Sequence, residues 1–439
     1  MKIIHQGFFD AMLERIRAFN SSCLNNDREK DYFLVLGVYQ SGKTFLIKSA
    51  MEKLRNEGLF DDEHIVSIDL EKTDNNVKYY PDLKNDGKPY LIFCDNCTDL
   101  LSIRSVDEHY SKIDKAVFIC AVEYNLLNEE RNGDDYFDFL FYFSRHNHTG
   151  AAKHYEACCV PGYIKPEQFL KVRDITCDRQ TVKEHFDEYL KYGSFPAVAA
   201  RRDLISRDNI LKTTCECIVG KVCDAEKCRI DILNTVLKYV LKNVGRLLTT
   251  TEISQNTHLD YSTVLKYIDI LKNNSLIYEC RYKKIDPQEI ADQNYKKYYA
   301  GFTSFIYNML DPEDFPQHKH LLENVFLILQ GRFLASANNS FGGSVSRNQF
   351  DFFFGDPWTV SNNFQDFYNI HIKETAKKRK SEFSNQINTL KRIPNDGVKI
   401  MLTEDDTEEK IIDGVYVINI YDWFLDKSYE LYDRSWNNK

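Results

Sequence analysis

No stretch of this chain approaches the roughly 18 uncharged apolar residues needed to cross a bilayer. The opening segment, MKIIHQGFFDAMLERIRAF, sets Asp10 and Glu14 among its apolar positions. That excludes an uninterrupted signal-peptide core and reads as an amphipathic helix with Phe9, Met12, Ile16 and Phe19 on one stripe. A secreted disulfide framework is missing as well: the 12 cysteines are scattered, so reduced thiols are the expectation. There is no excess of positive charge. At a net −9 the molecule is not built as a whole to hold a polyanion, and nucleic acid would need a local basic face. Internal repeats and low-complexity linkers are also lacking. These absences predict a cytoplasmic protein with no membrane partner.

What is present is ordinary globular material, 43% hydrophobic and 28% charged over 439 residues, enough for roughly three domains. Strands and helices alternate first. Apolar runs at 32–36, 64–70, 90–95 and 116–122, with a weaker one at 154–160, read as strands. The middle runs are near-continuous, as in buried parallel strands. Residues 44–55 carry a helical pattern through Leu46, Ala50, Met51 and Leu54. From about 165 the chain turns helical and polar. Residues 229–284 then give a helix, a short capped helix, a third capped helix and an alternating strand, the pattern of a winged helix-turn-helix. The remainder reads as a second α/β domain. The expected division is 1–162, 163–228 (a helical, lid-like region), 229–290 (the winged helix) and 291–439.

Cysteine spacing supplies two groupings. Cys94 and Cys97 form a C-x-x-C, but Cys94 closes an apolar strand and no thioredoxin-like helix follows. Cys215, Cys217, Cys223 and Cys228 fall close together in a spacing that matches no common zinc module, and small apolar packing on helices is the preferred reading.

The chemistry is concentrated in YFLVLGVYQSGKTFLI. Gly37, Gly42, Lys43 and Thr44 make G-x-x-x-x-G-K-T between a buried strand and an amphipathic helix. Glycines let the backbone wrap so that N–H groups of residues such as Gln40 and Ser41 face phosphate oxygens. Lys43 would reach the terminal phosphates of ATP, and Thr44 would give a hydroxyl to Mg²⁺. A carboxylate at a strand end should complete the Mg²⁺ site, and PYLIFCDN offers Asp95. The next residue is Asn96, whose amide orients water but accepts no proton. Asp99 and Glu123 are alternative carboxylates.

In these motifs and their order the chain resembles prokaryotic AAA-family P-loop ATPases that carry a C-terminal restriction-endonuclease-like domain. The loop with Gln40 before SGKT, the strand LIFCD, and EYLKYGSFPAV with Tyr189, Leu190, Gly193, Phe195 and Pro196 fit that layout. So do the winged-helix unit, QNYKKYYAGFTSFIYNML and LLENVF. The resemblance implies a five-stranded parallel ATP-binding domain, a helical part, a winged helix and a nuclease-like domain. It also implies ATP and Mg²⁺ as cofactors and nucleic acid as a partner. The family's Glu after the magnesium Asp is here Asn96, and its polar sensor after the fourth strand is here Cys120-Ala121-Val122. Arg145 lies only near the place of an expected Gly-Arg. Each departure bears on turnover and leaves binding intact.

The nuclease pattern of a helix Glu, a strand Asp and a Glu-x-Lys maps onto Glu323, Asp351 and Lys373, with His371 in the acidic place and Gln349 before the Asp. Imidazole is a poor ligand for hard Mg²⁺, so this vestigial site predicts a domain kept for binding. The basic run Lys377, Lys378, Arg379 and Lys380 could touch phosphates. On the winged unit's third helix, Tyr261, Ser262, Thr263, Lys266 and Tyr267 could enter a major groove, aided by Lys272, Arg281, Lys283 and Lys284. The leading expectation is an ATP–Mg²⁺-binding protein, a slow ATPase that couples nucleotide state to its later domains. The alternatives are a DNA- or protein-binding regulatory module with a non-hydrolysing loop domain, and a nucleotide-gated nuclease. A homo-oligomer or a protein partner fits each.

Overall fold

The structure is a computed structural model. It describes residues 13–14, 16–21, 29–36, 42–70, 73–74, 77–78, 80–97, 100–122, 156–159, 178–192, 195–283, 295–330, 340–344, 348–355, 367–373, 380–391, 398–404 and 410–427. The chain forms two compact units, residues 1–162 and 163–439.

The first unit is built on five strands: β1 (Glu29–Leu36), β2 (Ile65–Asp69), β3 (Tyr90–Cys97), β4 (Lys115–Val122) and β5 (Glu156–Cys159). All ladders of this sheet are parallel, in the spatial order β2-β3-β4-β1-β5, and a separate antiparallel pair joins residues 73–74 to 77–78. Helix α1 (Lys43–Asn56) follows β1, and α2 (Leu100–His109) follows β3. The apolar runs are continuous because both faces are covered. On one face Val66, Ile92 and Phe118 pack with Val106 and Tyr110. On the other Leu91, Phe93, Val117 and Ile119 pack with Leu46, Ile47, Ala50 and Leu54 of α1. Leu13, Ile16 and Phe19, from helical residues near the N-terminus, join that second core.

β1 begins three residues before its apolar run. Glu29, Lys30 and Asp31 pair with Lys115, Ala116 and Val117, and the Lys30 ammonium donates to Asp107 (3.1 Å) and to the Tyr110 carbonyl (3.1 Å). Polar strand ends of this kind carry no hydropathy signal. The strand order matters more for function. The chain leaves β1 for the far edge at β2, returns through β3 and β4, and places β5 on the other side of β1. β1 therefore stands where the winding reverses, and in open α/β sheets ligands bind at the carboxyl ends of strands at such a point.

The second unit opens with helices α3 (Arg179–Tyr192) and α4 (Leu204–Ala225). Then come α5 (Ile230–Lys242), β6 (Leu247–Leu248), α6 (Thr250–Thr257), α7 (Tyr261–Asn273), β7 (Ile277–Lys283) and β8 (Lys296–Ala300). Thr249 caps α6, its hydroxyl accepting from the Glu252 N–H (3.1 Å). Helices α8 (Thr303–Met309) and α9 (His318–Gln330) follow. The last elements are β9 (Ser340–Ser344), β10 (Asn348–Gly355), β11 (Phe367–Lys373), α10 (Lys380–Lys391), β12 (Val398–Thr403), β13 (Lys410–Ile412) and β14 (Val415–Asn419). One mixed sheet of nine strands, β13-β14-β12-β11-β10-β9-β7-β8-β6, runs through the unit. The segments read from sequence as a winged helix and as a C-terminal domain thus share a ladder, with β9 parallel to β7.

Candidate functional site

The site grows from the two strand ends that sequence reading singled out. After β1, Gly42 adopts the left-handed conformation (φ 93°) and opens α1, where a side chain would be strained. No side chain caps α1. Its first turn supplies no acidic residue of its own, and the carboxylate that reaches it comes from the end of β3. Lys43 is buried, at 9% exposure. The Thr44 hydroxyl donates to Asp95 Oδ1 (2.9 Å), across 51 residues of sequence. Gly37, Gln40 and Ser41 lie outside the described residues, as do Asp99, Glu123 and Arg145.

Asp95 is held from three sides. Its Oδ1 also accepts from the Asn96 N–H (3.0 Å), and its carbonyl accepts from the Leu70 N–H (3.0 Å). The β3–β4 ladder is regular as far as Cys94 opposite Cys120, then shifts before Cys97 opposite Val122. The irregularity contains Asp95 and Asn96, and Asn96 sits at φ 54°. Asparagine tolerates that region better than most residues. Bulges re-aim side chains. Here the Asn96 carboxamide donates from Nδ2 to Asp69 Oδ1 (2.9 Å), at the end of β2 opposite Asp95. Asp69 was not singled out in the sequence. Its only signal is a carboxylate closing an apolar strand, IVSID.

Beneath this polar rim lie buried thiols, none in a disulfide, at Cys94, Cys97 and Cys120. Cys94 and Cys120 are register partners, and a hydrogen bond to Cys120, with burial, pushes the Cys94 thiol well above its usual range. Cys97 Sγ donates to the Cys94 carbonyl (3.5 Å). The C-x-x-C therefore spans a strand bulge. The later grouping is split by α4, with Cys215 and Cys223 buried, Cys217 exposed and Cys228 half-buried. No set of three or more His, Cys, Asp or Glu among the described residues is placed to hold a metal ion.

Thr44 and Asp95 offer two hard oxygens side by side. That suits Mg²⁺, which takes one or two protein oxygens and completes its shell from phosphates and water. The donor set fits the ion the motif implies.

The residues assigned to a vestigial nuclease are distributed differently. Asp351 lies on β10 and His371 and Lys373 on β11, adjacent antiparallel strands. Phe352 stands opposite Ile370, so Asp351 and His371 occupy the next positions along the two strands. Their side chains lie outside the described residues. Glu323, fully buried on α9, accepts from the Tyr299 hydroxyl (3.0 Å) and pairs with Lys319 (3.2 Å), His320 (3.2 Å) and Lys297 (4.0 Å). Beside it Asn324, also fully buried, forms a two-point bond to one backbone unit. It accepts from the Ala300 N–H (2.6 Å) and donates to the Ala300 carbonyl (3.0 Å).

On the candidate nucleic-acid helix α7, Tyr261, Ser262 and Lys266 are exposed. Tyr267 is not: it is buried, and its hydroxyl accepts from the Arg229 N–H (3.0 Å). The sequence expectation for Tyr267 is corrected accordingly: it packs on the core face with Val264, Ile268 and Leu271. Lys272 pairs with Asp269 (2.9 Å) and Glu279 (3.2 Å). Residues 377–379 and Lys284 lie outside the described residues, and so do the side chains of Arg281, Lys283 and Lys380.

A parallel sheet wound in this order, with a left-handed glycine opening the helix after its first strand and a strand-end aspartate bonded to that helix, defines the first unit as a P-loop type α/β fold. Among known families, a domain of unknown function, DUF8612, matches residues 183–311. An uncharacterized protein of Haemophilus influenzae is 23% identical over 271 residues, covering 59% of this chain. The matched stretch covers 62% of that curated relative's length. Among solved structures, the Aeropyrum pernix ORC2 protein in ADPNP–ADP complexes matches with a TM-score of 0.38 at 10% identity, over 75% of this chain and 95% of that one. The A. pernix ORC1 protein in complex with DNA matches with a TM-score of 0.27 at 12% identity, over 70% and 92%. Likenesses this distant assign no activity. No helix among the described residues is long and apolar enough to cross a membrane.

Proposed function

We propose that the first unit binds ATP with Mg²⁺. The observation that carries this reading is the hydrogen bond from Thr44 to Asp95, which joins the helix after β1 to the end of β3. The left-handed Gly42 and the uncapped start of α1 support it, since together they leave a helix N-terminus for phosphate. In this reading Gly37, Gln40, Ser41 and Gly42 cradle the phosphates and Lys43 neutralises the terminal ones. Thr44 and Asp95 hold Mg²⁺, which supplies charge neutralisation between the phosphates when bound. Turnover is slow, because Asn96 stands where a carboxylate would help. Calorimetric titration with Mg²⁺–ATP should show saturable binding that Lys43→Ala reduces by at least ~100-fold, about 2.7 kcal/mol. Undiminished binding by that variant would remove the loop from the reading.

A second reading, DNA contact by a winged helix formed from α5 to β8, is favoured by the exposure of Tyr261, Ser262 and Lys266 on α7. For the C-terminal region we favour binding over cutting. The buried ion pairs of Glu323 support that, because they engage the carboxylate that a metal site would need free.

A further inference from the structure

We propose that Asp69 is a positioning residue for nucleotide hydrolysis, acting through Asn96. The inference rests on the nucleotide-binding reading of the same site. In a regular strand the side chains of residues 95 and 96 would face opposite sides of the sheet. The bulge and the left-handed Asn96 change this, so that Asp95 meets Thr44 while the Asn96 carboxamide reaches the neighbouring strand end. A carboxylate only accepts hydrogen bonds, so Asp69 fixes which end of the amide it receives. The Asn96 NH₂ points to Asp69, and its Oδ1 turns elsewhere. No donor among the described residues engages that Oδ1. The amide oxygen is therefore oriented as a pure acceptor beside the metal-site carboxylate, the arrangement that holds a water by one of its hydrogens.

The pair divides between two residues what a single carboxylate does elsewhere. Asn96 aims the water, and Asp69 stops the amide from flipping. The water oxygen bonds to the terminal phosphorus, and the bond to the bridging oxygen breaks with its electron pair on the departing nucleoside diphosphate. Both water protons remain on the product phosphate, so neither Asn96 nor Asp69 has to take one up.

The test uses the full chain and two readouts: steady-state phosphate release from Mg²⁺–ATP, and the Kd for Mg²⁺–ATP by calorimetry. Asp69→Asn can donate as well as accept, so it no longer dictates the amide orientation. It should lower kcat about 10-fold or more while Kd changes less than about 2-fold. Asn96→Asp should set two carboxylates against each other and also lower kcat. The double variant Asp69→Asn/Asn96→Asp restores a donor–acceptor pair with the roles exchanged, and it should recover wild-type turnover or exceed it. An unchanged kcat in Asp69→Asn would overturn the proposal. So would a double variant no faster than Asn96→Asp, or a wild-type protein that binds Mg²⁺–ATP and never turns it over. Absence of Mg²⁺–ATP binding by the wild type would instead overturn the reading beneath it.

Discussion

Single residues whose types looked unremarkable make several of the decisive contacts. Gly301 has an ordinary backbone angle, yet a Cβ there would stand 1.9 Å from the Ser275 carbonyl oxygen, so the turn after α7 needs glycine against it. Its neighbour Ala300 is bonded at both N–H and C=O by Asn324. The tetrapeptide LLEN thus serves as a clasp, with Glu323 on Tyr299 and Asn324 on Ala300. Replacing Asn324 with Leu keeps the volume and strands two buried backbone groups. At ~1–3 kcal/mol each the loss should be about 2–6 kcal/mol, read as a fall in the denaturant midpoint. A change below about 0.5 kcal/mol would mean the bonds are not made in solution. The pattern of a helix Glu, a strand Asp and a later Lys placed Glu323 in a vestigial nuclease site, and nothing in that spacing reports its bond to Tyr299.

Elements were more legible than contacts. The buried strands and α1 lie where the hydropathy runs put them, because a parallel strand covered on both faces has few polar positions to blur its pattern. The exceptions are the polar start of β1 and the bulge in β3. Charge and backbone conformation decide those, and hydropathy does not report either. Helix α7 shows the same division. Its 3.6-residue period is clear, but which tyrosine faces water depends on the packing of α5 against it. Tyr267 turns inward, and Tyr261 stays out with 52% exposure. If α7 contacts DNA, Lys266→Glu should weaken binding by the full chain in a gel shift across all sequences. It should also flatten the log–log salt dependence by about 0.9 per lost phosphate contact. Equal shifts for variant and wild type at low salt would remove Lys266 from any such face.

For the whole molecule, two compact units with separate sheets predict two unfolding transitions. Mg²⁺–ATP at 100 times its Kd stabilises the unit that binds it by about 2.7 kcal/mol. Calorimetric scans should therefore show nucleotide raising one transition and leaving the other in place, with no shift in Lys43→Ala. A uniform shift of all unfolding would show that the units melt as one.

By itself the sequence marked the alternation of strands and helices in the first unit, the place of the glycine-rich segment, and Thr44 and Asp95 as its candidate hard oxygen donors. These follow from local spacing and composition. Only the tertiary structure decided that Asp69 answers Asn96 and that Ala300 answers Asn324. The members of each pair are 27 and 24 residues apart. A hydrogen bond across that distance needs a strand bulge or a packed helix to bring donor to acceptor, and neither leaves a mark on the spacing of the residues it joins.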